Sequence, residues 1–171
     1  MVAALNQVAP YNWASFFQQR VYTLAPRAPL GGIEQGGWRL VYTDQPNAIT
    51  QAAEKQFHVL DLENSLGLTL SLGNEKAAAV SDVVPGMPAP AAGIAPGMTL
   101  LAVNGRRFSP AVLRDLLQSR QPLQLLVQNV GYYKTHTIAY RDGPRSPHLV
   151  RDASLPDVLS DIIKPKAPAQ P

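Results

Sequence analysis

Between residues 57 and 140 apolar and polar positions alternate in short runs broken by glycine and proline, whereas the first 56 residues carry apolar positions at helical spacing. The alternating runs predict strands at F-H-V-L-D-L (57–62), L-G-L-T-L-S (66–71), A-A-A-V-S-D-V-V (77–84) and M-T-L-L-A-V-N-G (98–105), the last entering an Asn-Gly turn. P-L-Q-L-L-V-Q-N and Y-Y-K-T-H-T-I-A-Y predict a closing hairpin across Val130 and Gly131. One clear helix interrupts them, with Ser109 as its cap, Pro110 at its first position and Val112, Leu113, Leu116 and Leu117 along one face.

Upstream, residues 2–9 predict a short helix closed by Pro10, and Asn12 caps a second, W-A-S-F-F-Q-Q-R-V-Y. Trp13, Phe17 and Val21 share one face of it, with Phe16 and Arg20 alongside, and such a stripe is expected to face a core. Pro26 to Gly37 is expected to be loop around at most one helical turn, W-R-L-V-Y-T a strand, and Asn47 to Gln56, opened by Pro46, a helix. Past Tyr140 the chain turns polar and proline-rich. A short helix is expected from Leu155 to Ile163 with Ser154 as cap, then a K-P-K-A-P-A-Q-P tail disordered by composition.

This pattern divides the chain into a helical and mixed appendage (1–56), a compact unit (57–140) and a C-terminal extension with its tail (141–171). At 171 residues it has room for one domain and an accessory piece, with enough apolar content for a core. The formal charge of +3 comes from scattered basic residues without interleaved aromatics, which argues against nucleic acid as a partner. No cysteine is present, so disulfides and thiolate metal sites are excluded, while periplasm and cytoplasm both stay open. No apolar stretch reaches the roughly 18 to 20 residues of a membrane span, and the N-terminus lacks the pattern of a secretory signal. The chain starts inside a helical pattern with aromatics that have no nearby partner, and is therefore expected to be a piece of a longer protein.

Chemistry is sparse. His58, His136 and His148 each stand alone, and no H-E-x-x-H pair or carboxylate at metal-ligand spacing accompanies them. His136 lies in the alternating K-T-H-T-I, where a solvent-facing position is expected. No serine occupies a G-x-S-x-G elbow, and G-I-A-P-G-M lacks the lysine of a phosphate loop. The chain alone is not expected to be an enzyme.

The informative run is G-M-P-A-P-A-A-G-I-A-P-G-M-T-L-L-A-V-N-G-R-R-F, residues 86–108. It reads as a glycine turn, a one-turn helix starting at proline, a glycine stop, a Pro-Gly turn, a buried strand and an Asn-Gly turn. It resembles the centre of bacterial PDZ domains, with Gly86, Pro88, Ala89, Ala92, Gly93, Pro96, Gly97, Val103, Asn104 and Gly105 at matching places, Ile94 for the usual leucine and Met98 for the usual acidic residue. The resemblance implies an α+β fold: a PDZ-like, partly open β-barrel of five or six strands with one long and one short helix, preceded by the helical appendage. It also implies a carboxylate-binding loop at Ser65, Leu66, Gly67 and Leu68, whose free amides would meet a peptide terminus. The peptide would add to the strand of Leu68, Thr69 and Leu70. Its side chains would enter an apolar pocket lined by Leu66, Leu68, Leu113 and Leu117. The competing reading of Gly67 is a bend alone.

The remaining segments, V-A-A-L-N-Q-V-A-P-Y-N-W-A-S-F-F, G-W-R-L-V-Y-T-D-Q-P-N, S-L-G-L-T and R-S-P-H-L, resemble the C-terminal region of the glycyl aminopeptidase family. Its members are zinc metallopeptidases with a thermolysin-like catalytic domain followed by a PDZ domain. The resemblance implies that the zinc site belongs to a catalytic domain missing here, so no cofactor is expected in this chain. The implied partner is a peptide or protein C-terminus, or that catalytic domain. A PDZ module of another bacterial protease or a secretion scaffold is the alternative.

Overall fold

The computed structural model describes residues 1–25, 28–74 and 76–165. The chain forms α1 (Val2–Val8), α2 (Trp13–Val21), α3 (Gly31–Gln35), β1 (Trp38–Thr43), α4 (Ala48–Phe57), β2 (Val59–Leu62), β3 (Leu68–Asn74) and β4 (Ala77–Val83). It continues through α5 (Pro88–Ala91), β5 (Thr99–Val103), β6 (Arg106–Arg107), α6 (Pro110–Gln118), β7 (Leu123–Asn129), β8 (Tyr132–Ile138), β9 (Ser146–Arg151) and α7 (Val158–Ile163). Residues 41–149 make one compact unit, and residues 1–40 together with 150–171 make a second. The proline-rich tail from residue 166 lies outside the described residues.

In the larger unit, strands pair in the order β2-β3-β4-β5-β7-β8, with β6 on β5. The sheet is open, and the class is the expected α+β. Turn chemistry sets the chain's path: Gly86, Gly93 and Gly97 all have positive φ, as do Asn104 and Gly105 in the β5–β6 turn. Ser109 Oγ accepts from the Val112 N–H, starting α6 where the sequence places it. Leu113 and Leu117 of α6 enter the same core as Leu60, Leu68, Leu100 and Leu125. Asn47 caps α4 through the Thr50 N–H, and His58 ends that helix in the left-handed conformation, which shortens β2 to residues 59–62. His136 corrects the solvent-facing expectation. It pairs opposite Leu125, is 8% exposed, and its Nδ1 lies 2.7 Å from the Ala92 carbonyl oxygen.

The smaller unit is held by polar contacts. Trp38 Nε1–H donates to Asp157 Oδ1 at 2.9 Å, and the Gly37 carbonyl accepts from Arg151 and from the Asp152 N–H. Position 37 must be glycine: φ is +82°, and a Cβ would stand 2.2 Å from the Pro156 carbonyl oxygen. The core-facing expectation for α2 does not hold. None of the residues of α1, α2, α3 or α7 is buried, and Tyr11, Trp13, Phe16 and Phe17 pack edge to face on one another. Two short helices have too little interior to enclose four aromatic rings. The last helix starts at Val158 with Asp157 as cap, since Ser154 is tied to Asp152 and Pro156 stands between. Strand β9, which pairs with β1, has no counterpart in the expectations.

Asp157 gives a test of this polar centre. The Trp38 indole N–H, above all, holds its carboxyl below the usual value, helped by the Ser160 cap and the Arg151 charge. A lowered folded-state pKa stabilises the fold above the unfolded value of about 3.9, and that contribution disappears as pH falls through the folded value. Trp38→Phe is expected to return the Asp157 titration towards the ordinary range, read by carboxyl NMR. An unchanged titration would assign the shift to the cap and Arg151 alone.

Candidate peptide-binding groove

Residues 63–67 connect β2 to β3, and three of their amides turn back on the end of β2. The N–H groups of Ser65, Leu66 and Gly67 all donate to the Leu62 carbonyl oxygen, at 3.2, 2.9 and 3.0 Å. On the other side, the Leu66 carbonyl accepts from Ala89 and the Gly67 carbonyl from Val84. Ser65 is 3% exposed, and its hydroxyl accepts from the Arg145 N–H. The expected free amides are therefore not free. Their acceptor comes from the chain itself.

Gly67 has φ +73°, and a Cβ there would sit 2.0 Å from Met87 Cβ. The glycine is demanded by the turn and by the close approach of Met87.

Strand β3 has both edges paired. One edge carries β4, and the other carries β2, antiparallel, with Leu60 opposite Leu70 and Leu62 opposite Leu68. Leu62 and Ser65 share a small cleft with Arg114, Leu117 and Gln118 of α6. Strand β2 thus takes the edge of β3 expected for an added peptide strand, and its last carbonyl takes the three loop amides expected for a terminal carboxylate. The predicted pocket residues Leu66, Leu68, Leu113 and Leu117 are brought together with Leu70 of the strand, but in one buried cluster with Leu60 and Leu62. Thr69 lies opposite Asp61, and its hydroxyl donates to Glu63.

Glu54 of α4 was not among the expected site residues. One carboxylate oxygen accepts from the Asp61 N–H at 3.0 Å, and the other pairs with Arg114 of α6 at 2.5 Å. The Glu54 side chain is 12% exposed. Beyond His58 a wider cleft stays open, lined by Leu72, Gly73, Phe108, Pro110 and Ala111.

The residues present do not fit a zinc site. His136 points to the Ala92 carbonyl and His148 to that of Gln45, and among the described residues no three His, Asp or Glu side chains come together to hold a metal. No described helix is long and apolar enough to cross a membrane.

Residues 57–128, spanning β2 through most of β7, match the family described as PDZ domain. The chain carries a PDZ domain. Across 95% of its length the chain is also similar to the crystal structure of an aminopeptidase N family protein from Idiomarina loihiensis, with a TM-score of 0.62 and 13% identity. At that identity the likeness is one of fold. The chain spans 28% of that protein's length. A second similar structure is the HtrA3 PDZ domain bound to a phage-derived ligand, FGRWV, with a TM-score of 0.36 and 17% identity over 69% of this chain and 95% of that one. No curated protein matches the sequence.

The PDZ run 86–108 was legible in the sequence because each of its turns has local chemistry. The filling of the groove was signalled only by an apolar strand, 57–62, immediately before the loop.

Proposed function

We propose that this chain is the non-catalytic, PDZ-bearing region of a larger zinc-dependent aminopeptidase of the glycyl aminopeptidase kind. In this reading it docks on and regulates its catalytic domain, and it admits a peptide C-terminus only in exchange for β2. The observation that carries the proposal is the Leu62 carbonyl held by three loop amides. The fold likeness to an aminopeptidase N family protein, which extends over the appendage as well as the PDZ domain, supports a peptidase parent. So does the incompletely buried aromatic cluster of Tyr11 with Trp13, Phe16 and Phe17 of α2, which suits a surface covered by another domain. Zinc and the chemistry of hydrolysis then belong to the rest of that protein.

Two assays test the reading. Purified chain, with or without added zinc, is expected to show no turnover of aminoacyl anilides. Sustained activity tracking the protein through purification would overturn the non-catalytic assignment. In the second assay, peptides ending in Val-Leu-Asp-Leu are titrated as free acid and as amide. A short connection keeps β2 at an effective concentration of about millimolar or above, so a peptide of micromolar intrinsic affinity is weakened by roughly a thousandfold. Neither form is expected to bind the wild-type chain below about millimolar concentration. Micromolar binding of the free acid, with the amide weaker by about tenfold, would show an open groove.

A further inference from the structure

We propose that Glu54 is a latch that keeps β2 in the PDZ groove, and that releasing it opens the groove to a C-terminus with apolar residues at its last and third-last positions. The proposal rests on the reading above that β2 occupies a peptide site. Glu54 links the three elements that define the closed state. It projects from α4, takes the outward N–H of Asp61 on the edge strand, and pairs with Arg114 on the helix that walls the groove. Both oxygens are used, and the side chain is largely withdrawn from water. A carboxylate in such a position prefers its two donors, the Arg114 guanidinium and the Asp61 backbone N–H, to solvent, so the strand and α6 are held together through it.

The release is local. The hydrogen bonds between β2 and β3 are ones that a peptide strand can replace, and Arg114 is 40% exposed and solvates readily when its partner leaves. The partner's chemistry is written in the occupant. Leu60 and Leu62 fill the apolar interior while Asp61 between them faces outward, so a replacing terminus needs a leucine-like residue, a polar or acidic residue, and a leucine-like residue with its carboxylate. Its terminal carboxylate would take the three amides now used by the Leu62 carbonyl. This gives the intermolecular ligand the charge-assisted bonds that the internal strand lacks.

The experiment compares wild type, Glu54→Ala, and the charge swap carrying Glu54→Arg with Arg114→Glu. Amide exchange is measured by residue, and affinity for a labelled Val-Leu-Asp-Leu free acid by anisotropy. Glu54→Ala is expected to speed exchange in residues 59–62 by at least about tenfold, with β7 and β8 unchanged, and to tighten the peptide by at least about tenfold. The charge swap restores the ion pair between α4 and α6 but offers the Asp61 N–H a guanidinium, which cannot accept, so exchange at 59–62 is expected to stay fast and the peptide to stay tight. A return to wild-type exchange overturns the Asp61 bond as the latch. Unchanged exchange at 59–62 in Glu54→Ala overturns the latch. Exchange that rises equally in β7 and β8 also overturns it, leaving Glu54 as a general stabilising contact. Faster exchange confined to 59–62 without peptide binding overturns the groove reading itself, and the partner with it.

Discussion

Valine at position 67 is expected to lower the unfolding free energy of the PDZ domain by on the order of 2 to 5 kcal/mol, summing a left-handed backbone penalty of about 1 to 2 kcal/mol with steric overpacking of about 1 to 3 kcal/mol. The backbone at Gly67 has φ +73°, which a β-branched residue resists, and its Cβ would lie 2.0 Å from Met87 Cβ, well inside contact distance. Relief by moving the loop would stretch the Gly67 carbonyl from the Val84 N–H and the Leu66 carbonyl from the Ala89 N–H, which tie the loop to the 84–89 turn. Urea denaturation reads the effect. Gly67→Ala combined with Met87→Gly, which removes the Cβ that the new methyl would meet, should recover much of the steric part and leave the conformational part. A Gly67→Val midpoint close to wild type would show that the turn is free to open and that neither constraint operates.

Glutamate at position 113 is the second severe change. Leu113 has no exposed surface and lies in the core beneath β2, so its replacement would strand a carboxylate among leucines. Removing the leucine alone, as Leu113→Ala, is expected to destabilise by about 2 to 5 kcal/mol. The buried charge adds a desolvation penalty, so Leu113→Glu should exceed the alanine variant by roughly 1 to 3 kcal/mol and populate the unfolded state at ordinary temperature. Near-UV circular dichroism and the melting temperature check this. If Leu113→Glu instead kept the wild-type melting temperature and altered only peptide preference, Leu113 would line an open pocket, as the sequence alone suggests.

Those two residues show where one-dimensional reading succeeds and where it stops. Gly86, Gly93, Gly97 and the Asn104-Gly105 pair stand in the conformations their types favour, and Asn12 and Ser109 cap the helices they were expected to cap. Each of these depends on neighbours within a few residues. The failures involve distant partners. Strand β9 contains Pro147 and acquires its pairing from β1, far away in sequence. His136 is turned inward by its register against β7 and by the end of α5. Alternation in 57–62 shows that a strand exists, but not which edge it takes. That choice depends on the turn at 63–67 folding back so that three amides converge on Leu62. Glu54 was hidden for the same reason: on a helix rich in alanine and glutamine, it looks like one more solvated charge until α6 brings Arg114 to it.

The hairpin of β2 and β3 also has a consequence in time. Its strands are separated only by residues 63–67, so its pairing is local, and such hairpins close in about 1 to 10 μs. The opposite wall of the groove, α6, begins at Pro110, and at a synthesis rate of about 5 to 20 residues per second it emerges seconds later. The partner of β3 along this edge is therefore at hand before the helix is made, and α6 packs onto a hairpin whose two strands are already neighbours. On the proposed reading of β2 as the occupant of the groove, any free C-terminus competing for the edge of β3 meets this covalently tethered strand from the moment both are synthesised.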